Sequence, residues 1–288
     1  MSSFLLDTSA FRAISRKNLV NWSERCRISI SPVTFYELIR HLDEGGECHF
    51  RRYRGQVLKC RQVKILEDPF LETAESPGMQ WDFNPSRRDD RKIIVRLIDQ
   101  LKDADTLDDF YSRSIKTPSW GIMDLRHLCE RMRANIKRDE RGYSIMFQRI
   151  ARLLQKKYPV KVLRGYKTID IVKEVMFSSA SKSAEKHAPD SNAVVDAVHC
   201  FRGYVCARAK DCLTAAGSVT EMKLPKNDMR DGWICVHLKM DTDRTLVTSD
   251  KKMREAVRIA LRAYAEFYNK KPMAKVISNI EFRNKMKC

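Results

Sequence analysis

Apolar residues along this chain fall into two alternating rhythms. Phe4-Leu5-Leu6 is a short apolar run that stops at Asp7, as a buried strand does. Thr8 or Ser9, with Asp7 as an alternative, suits the cap of a helix predicted to run to about Lys17. Arg27 to Ser31 alternates polar and apolar side chains as a second strand, and Pro32 suits the first turn of the helix after it. That helix carries Phe35, Leu38, Ile39 and Leu42 on one side and is predicted to end by Gly45-Gly46. The far end of the chain repeats the theme. A helix is predicted over about 228–240, a strand over 245–248, an amphipathic helix over 251–268, a short strand over 275–277 and a closing helix behind it. Strand–helix alternation of this kind predicts an α/β fold with a central parallel sheet flanked by helices.

The middle differs. After a punctuated stretch at Asp68-Pro69 and Pro77-Gly78, helical patterns follow near 87–103, 105–115, 121–140, 142–157, 167–180 and 190–213. Glycine is scarce there and β-branched runs are few, so residues 46–224 read as a large, mostly helical insertion that can include core helices. Residues 1–45 and 225–288 would form the α/β core around it.

Charge then narrows the function classes. The chain has 288 residues, 55 Lys and Arg against 37 Asp and Glu, and a formal net charge of +18. Such an excess favours a phosphate backbone through counterion release. No stretch approaches the ~18 apolar residues of a membrane span, and Met1-Ser2-Ser3-Phe4 has no basic leader, so neither a membrane partner nor a secretory signal is expected. Nine cysteines are scattered without CxxC spacing, which fits reduced thiols in a cytoplasm rather than a zinc site.

Against this basic background the carboxylates stand out. Asp7 and Asp250 each follow an apolar run, where open α/β sheets place their sites. Asp228 and Asp231 are three apart and share a helix face; Glu37 lies about one turn into the second helix. Each also has a structural explanation, as a cap or a dipole partner. Gathered together, they are the hard oxygen donors that Mg²⁺ or Mn²⁺ requires. No GxxxxGK[ST] loop or Ser–His–Asp arrangement competes.

Leu5-Leu6-Asp7-Thr8-Ser9-Ala10, Glu37, Asn227-Asp228-x-x-Asp231 and Leu246-Val247-Thr248-Ser249-Asp250-Lys251-Lys252 together resemble a PIN-domain (VapC-like) nuclease. The resemblance covers less than half of the chain, and the insertion is far larger than the helical arm of small PIN toxins. It implies a metal-dependent endoribonuclease acting through one or two Mg²⁺ or Mn²⁺ ions. Asp7, Glu37, Asp231 and Asp250 would be the catalytic acids and Asp228 an added ligand, with Asp196 a weaker substitute for the third acid. Ser9 and Thr248 would orient ligands. The products implied are a 5′-phosphate and a 3′-hydroxyl. Arg51, Arg52, Arg54, Arg87 and Arg88 are candidates for holding the RNA substrate, with Arg131, Arg133, Lys137 and Arg138 further along. The family also implies a toxin, defence or RNA-maturation role, an antitoxin or regulatory protein as partner, and homodimers. Two other readings compete. One is a non-catalytic nucleic-acid-binding module on the same fold. The other is a haloacid-dehalogenase-like phosphatase, which lacks its second Asp because Ser9 stands there.

Overall fold

The computed structural model describes residues 1–69, 90–175, 191–225 and 227–287. Its centre is a parallel sheet of β1 (Ser3–Leu6), β2 (Arg27–Ile30), β3 (Lys64–Ile65), β6 (Arg244–Thr248) and β7 (Lys275–Ser278). Two further described strands, β4 (Ser114–Thr117) and β5 (Gly121–Asp124), form a separate antiparallel hairpin. The sheet order is β3-β2-β1-β6-β7. Strand order therefore reverses between β1 and β6, and the crevice at their carboxyl ends is where such sheets bind ligands. Because side chains alternate along a strand, successive residues feed different cores. Phe4, Leu6, Ile28, Ile30 and Val247 pack into one. Leu5, Leu246 and Val276 pack into the other.

The first connection holds α1 (Thr8–Ala13) and α2 (Arg16–Ser23) rather than one helix to Lys17. Two interactions make the break. The Ser15 hydroxyl accepts the Asn18 amide and restarts the helix. The Lys59 ammonium donates to the carbonyls of Phe11, Arg12 and Ile14, satisfying oxygens that a continuing helix would have used. Burial pushes the Lys59 amine down to about 8. Ser31 caps α3 (Pro32–Arg40), with Pro32 in its first turn. That helix stops before Gly45-Gly46, and Gly46 opens α4 (Gly46–Leu58).

Residues 46–224 hold α4, β3, α5 (Asp90–Asp103), α6 (Leu107–Ser112), the hairpin, α7 (Leu125–Lys157), α8 (Val160–Leu163), helical residues 168–175 and α9 (Ser191–Ala216). The hairpin replaces the helical start expected at 121. Gly121 adopts φ +68° at its turn, a backbone open to glycine without strain. The patterns at 121–140 and 142–157 merge into the single 33-residue α7. Gly142 does not interrupt it, because Tyr143, Phe147, Ala151 and Leu154 beyond it are buried and tertiary packing outweighs propensity. The stretch around Pro77-Gly78 and residues 176–190 lie outside the described residues. Among the described residues no helix is long and apolar enough to cross a membrane.

The chain closes through α10 (Asp228–Cys235), α11 (Lys251–Tyr268) and α12 (Asn279–Lys287). α9 and α11 approach closely at Gly203: a Cβ there would sit 2.5 Å from the Ala260 Cβ and 3.2 Å from its Cα. Gly203→Ala is therefore expected to cost roughly 1–3 kcal/mol by forcing the two helices apart. Urea unfolding measures it, and an unchanged midpoint would contradict so tight a contact.

Candidate active site

Asp7 stands at the carboxyl end of β1, the middle strand of the sheet, and only 3% of its surface is exposed. Its backbone amide still bonds Val247 on the neighbouring strand at 3.1 Å, which fixes where the side chain begins. Its carboxylate then collects donors. Oδ1 accepts the Ala10 amide at 2.7 Å, so Asp7 itself caps α1. The Ser9 hydroxyl donates to it at 2.8 Å and the Thr248 hydroxyl at 2.5 Å. Burial nevertheless dominates and raises Asp7 from 3.8 to about 6, against these bonds and with the Glu37 charge adding to the rise.

Thr248 joins the two halves of the chain. Besides donating to Asp7, its Oγ1 accepts the Asp250 amide at 3.0 Å. Asp250 caps α11 by accepting the Met253 amide with Oδ1, and it is exposed. Ser9 closes a second link, accepting the Ser249 amide at 3.1 Å. Thus the loops after β1 and β6 are tied across the switch point by hydroxyls.

Asp231 lies in the first turn of α10. Its carboxyl group is held well above the usual range, first by burial and then by the charges of Asp7, Asp250, Asp228 and Glu37. The charges of the other four expected carboxylates thus all bear on Asp231. Among the described residues, the Asp231 carboxylate has neither a hydrogen bond nor an ion pair.

The other two acids have cations of their own. Asp228 is buried against Arg208, whose Nε and Nη2 donate to its carboxylate at 3.0–3.2 Å. Burial still raises Asp228, only partly opposed by the arginine. Arg208 is raised, since the charge and bonds of Asp228 outweigh the effect of its own burial. Glu37 pairs with Arg230 at 3.3 Å, and Arg230 also reaches Glu140 on α7 at 3.2 Å. Sequence pattern pointed to neither arginine nor to Glu140, because these pairings join α3, α7, α9 and α10 and leave no local spacing. The Asp196 side chain lies outside the described residues.

The donors suit a hard divalent cation: they are carboxylate oxygens, and Asp231 and one oxygen of Asp250 have no hydrogen-bond partner among the described residues. As the side chains stand, no group of three or more His, Cys, Asp and Glu among the described residues is arranged to hold a metal ion.

Of the basic residues expected to guide a strand, Arg51 and Arg52 are exposed on α4. Arg54 is committed to the fold: its guanidinium donates to the carbonyls of Leu101 and Lys102 at the end of α5. Arg133 is likewise tied to Asp43 at 2.6 Å. Arg131 stacks over Trp120, 4.1 Å from the ring centre, and Lys137 and Arg138 are exposed on α7. Arg87 and Arg88 lie outside the described residues. No protein-family model matches the chain, and no curated protein or solved structure proved significantly similar to it.

Proposed function

We propose that this chain is a PIN-like, Mg²⁺- or Mn²⁺-dependent endoribonuclease whose site lies at the carboxyl ends of β1 and β6. The observation that carries the reading is the state of Asp231: a carboxyl group crowded by four other acids and given no cation of its own. Such crowding is unfavourable unless protons or cations relieve it. A bound divalent ion supplies that relief and acidifies a water molecule able to attack a phosphodiester. Among the described residues, Asp7, Asp231 and Asp250 are the members of the five without an arginine partner, and they would be its principal protein ligands. Thr248 and Ser9 hold Asp7 in one orientation. Arg208 and Arg230 already neutralise Asp228 and Glu37, so these two would act more weakly on an ion than the family pattern implies. The net charge of +18 suits a polyanionic substrate.

Those same arginine pairs favour the second reading, a PIN-like module that binds RNA without cutting it. A mixed RNA pool incubated with Mn²⁺ separates the two. Wild type is expected to cut, and Asp231→Asn to lose about 100-fold or more while keeping RNA affinity. RNA bound but left intact by the wild type across the Mn²⁺ titration would select the second reading.

A further inference from the structure

The opposite end of the sheet, at the amino-terminal ends of the strands, carries a cavity of about 500 Å³. The parallel register determines what faces it. Ser3 on β1 aligns with Arg27 on β2 and with Arg244 on β6. Ser29 on β2 aligns with Lys64 on β3. Residues in register point to the same face, and 27 and 29 share it because the strand period is two. One face therefore presents Arg27, Lys64 and Arg244 around two serines, and Arg61 joins them from the turn before β3. Arg27 and Arg244 flank β1, so their backbones are ~10 Å apart, two strand spacings.

Among the described residues, no Asp or Glu lines this cavity. Arg61 pairs with Asp99 at 3.3 Å, outside the lining. Arg244 donates to the His237 carbonyl at 2.6 Å. Arg27 and Lys64 are exposed and have no ion pair or side-chain hydrogen bond among the described residues. Elsewhere, arginines such as Arg113 and Arg133 sit against carboxylates. With Arg61 offset by Asp99, Arg27, Lys64 and Arg244 still repel one another around the concavity, and its wall focuses their field on whatever enters. An anion relieves the repulsion. The volume lies within the ~300–1,000 Å³ of small-ligand sites, and the guanidinium groups suit forked contacts to phosphate oxygens.

We propose that this cavity binds a small phosphoanhydride ligand of nucleotide size, separate from the acid cluster. Its phosphates lie between Arg27, Lys64 and Arg244, and the Ser3 hydroxyl supplies a further polar contact, the Ser29 hydroxyl being already donated to the Phe4 carbonyl at 3.0 Å. Size favours a free nucleotide over an RNA strand: the volume matches one small ligand, and the cavity lies at the strand starts, the end of the sheet opposite the carboxylates.

Calorimetric titration of the full chain in EDTA tests this without engaging any metal-dependent chemistry. ADP and pyrophosphate are expected to bind with dissociation constants below about 1 mM, and adenosine not to bind. The double variant Arg27→Ala/Lys64→Ala is expected to weaken ADP and pyrophosphate about tenfold or more. Arg51→Ala/Arg52→Ala, which removes two exposed cations elsewhere, is expected to leave both constants unchanged. Absence of ADP and pyrophosphate binding overturns the proposal. So does equal weakening in both double variants, which would indicate general attraction to a basic surface. A short RNA that binds through Arg27 and Lys64 when ADP does not would overturn it too. RNA cleavage by Arg27→Ala/Lys64→Ala is expected to match wild type, so this proposal and the nuclease reading fail separately.

Discussion

Asp7→Asn is expected to make the metal-free protein more stable at pH 7.5 while removing Mn²⁺-dependent RNA cleavage. The sign follows from the raised carboxyl group. Moving it from 3.8 to about 6 corresponds to roughly 3 kcal/mol against the ionised form. Below about pH 4 the group is protonated in both folded and unfolded chains, and no penalty applies. As pH rises through 6 the unfolded chain has already released its proton, and the folded state loses stability relative to it. Asparagine does not titrate, so its curve lacks this fall. The full amount is not recovered. An amide in place of Oδ2 cannot accept the Thr248 hydroxyl, and that bond is 2.5 Å long in the native protein. Deducting a hydrogen bond leaves a gain of about 1–2 kcal/mol. Urea unfolding from pH 4 to 8 in EDTA reads this directly. Parallel curves for wild type and Asp7→Asn would show that Asp7 is not the strained carboxylate described above. Adding Mn²⁺ is expected to stabilise wild type increasingly as pH rises, because the ion competes with the proton.

Arg208→Met is expected to be the most destabilising single change, at about 3–5 kcal/mol. It leaves the Asp228 carboxylate buried and unpaired, close enough for its charge to act on Asp231. Replacing both partners removes the stranded charge. Arg208→Met/Asp228→Asn should therefore lose only about 1–2 kcal/mol, and the double-mutant cycle should show strong coupling. Additive losses would mean that Arg208 contributes by packing alone.

How much of this was legible in advance depends on the range of each interaction. Pro32, the capping Ser31 and the amphipathic run of 251–268 act within a few residues, and those elements stand close to where the pattern put them. The two apolar runs that end before Asp7 and Asp250 read as strands, while their alignment as neighbours β1 and β6 is seen only in the fold. The β4–β5 hairpin escapes the pattern because each strand is only four residues long and Asp124 caps α7 directly, so the segment reads as helix. β3 was missed because two residues carry no period. The break between α1 and α2 depends on Lys59, more than forty residues away. At the candidate site, pattern singled out the carboxylates as candidates but pointed to neither arginine that pairs with them, since Arg208 and Arg230 find their acids only in three dimensions.

The order β3-β2-β1-β6-β7 also sets a timetable. The hydroxyl that grips Asp7 lies 241 residues downstream. A ribosome adding roughly 5–20 residues per second needs on the order of 10–50 s to bridge that gap. Until then β1 has a free edge on the β6 side, and the carboxylates cannot assemble. The acid cluster therefore takes shape only after Thr248 has been made, however early Asp7 emerges.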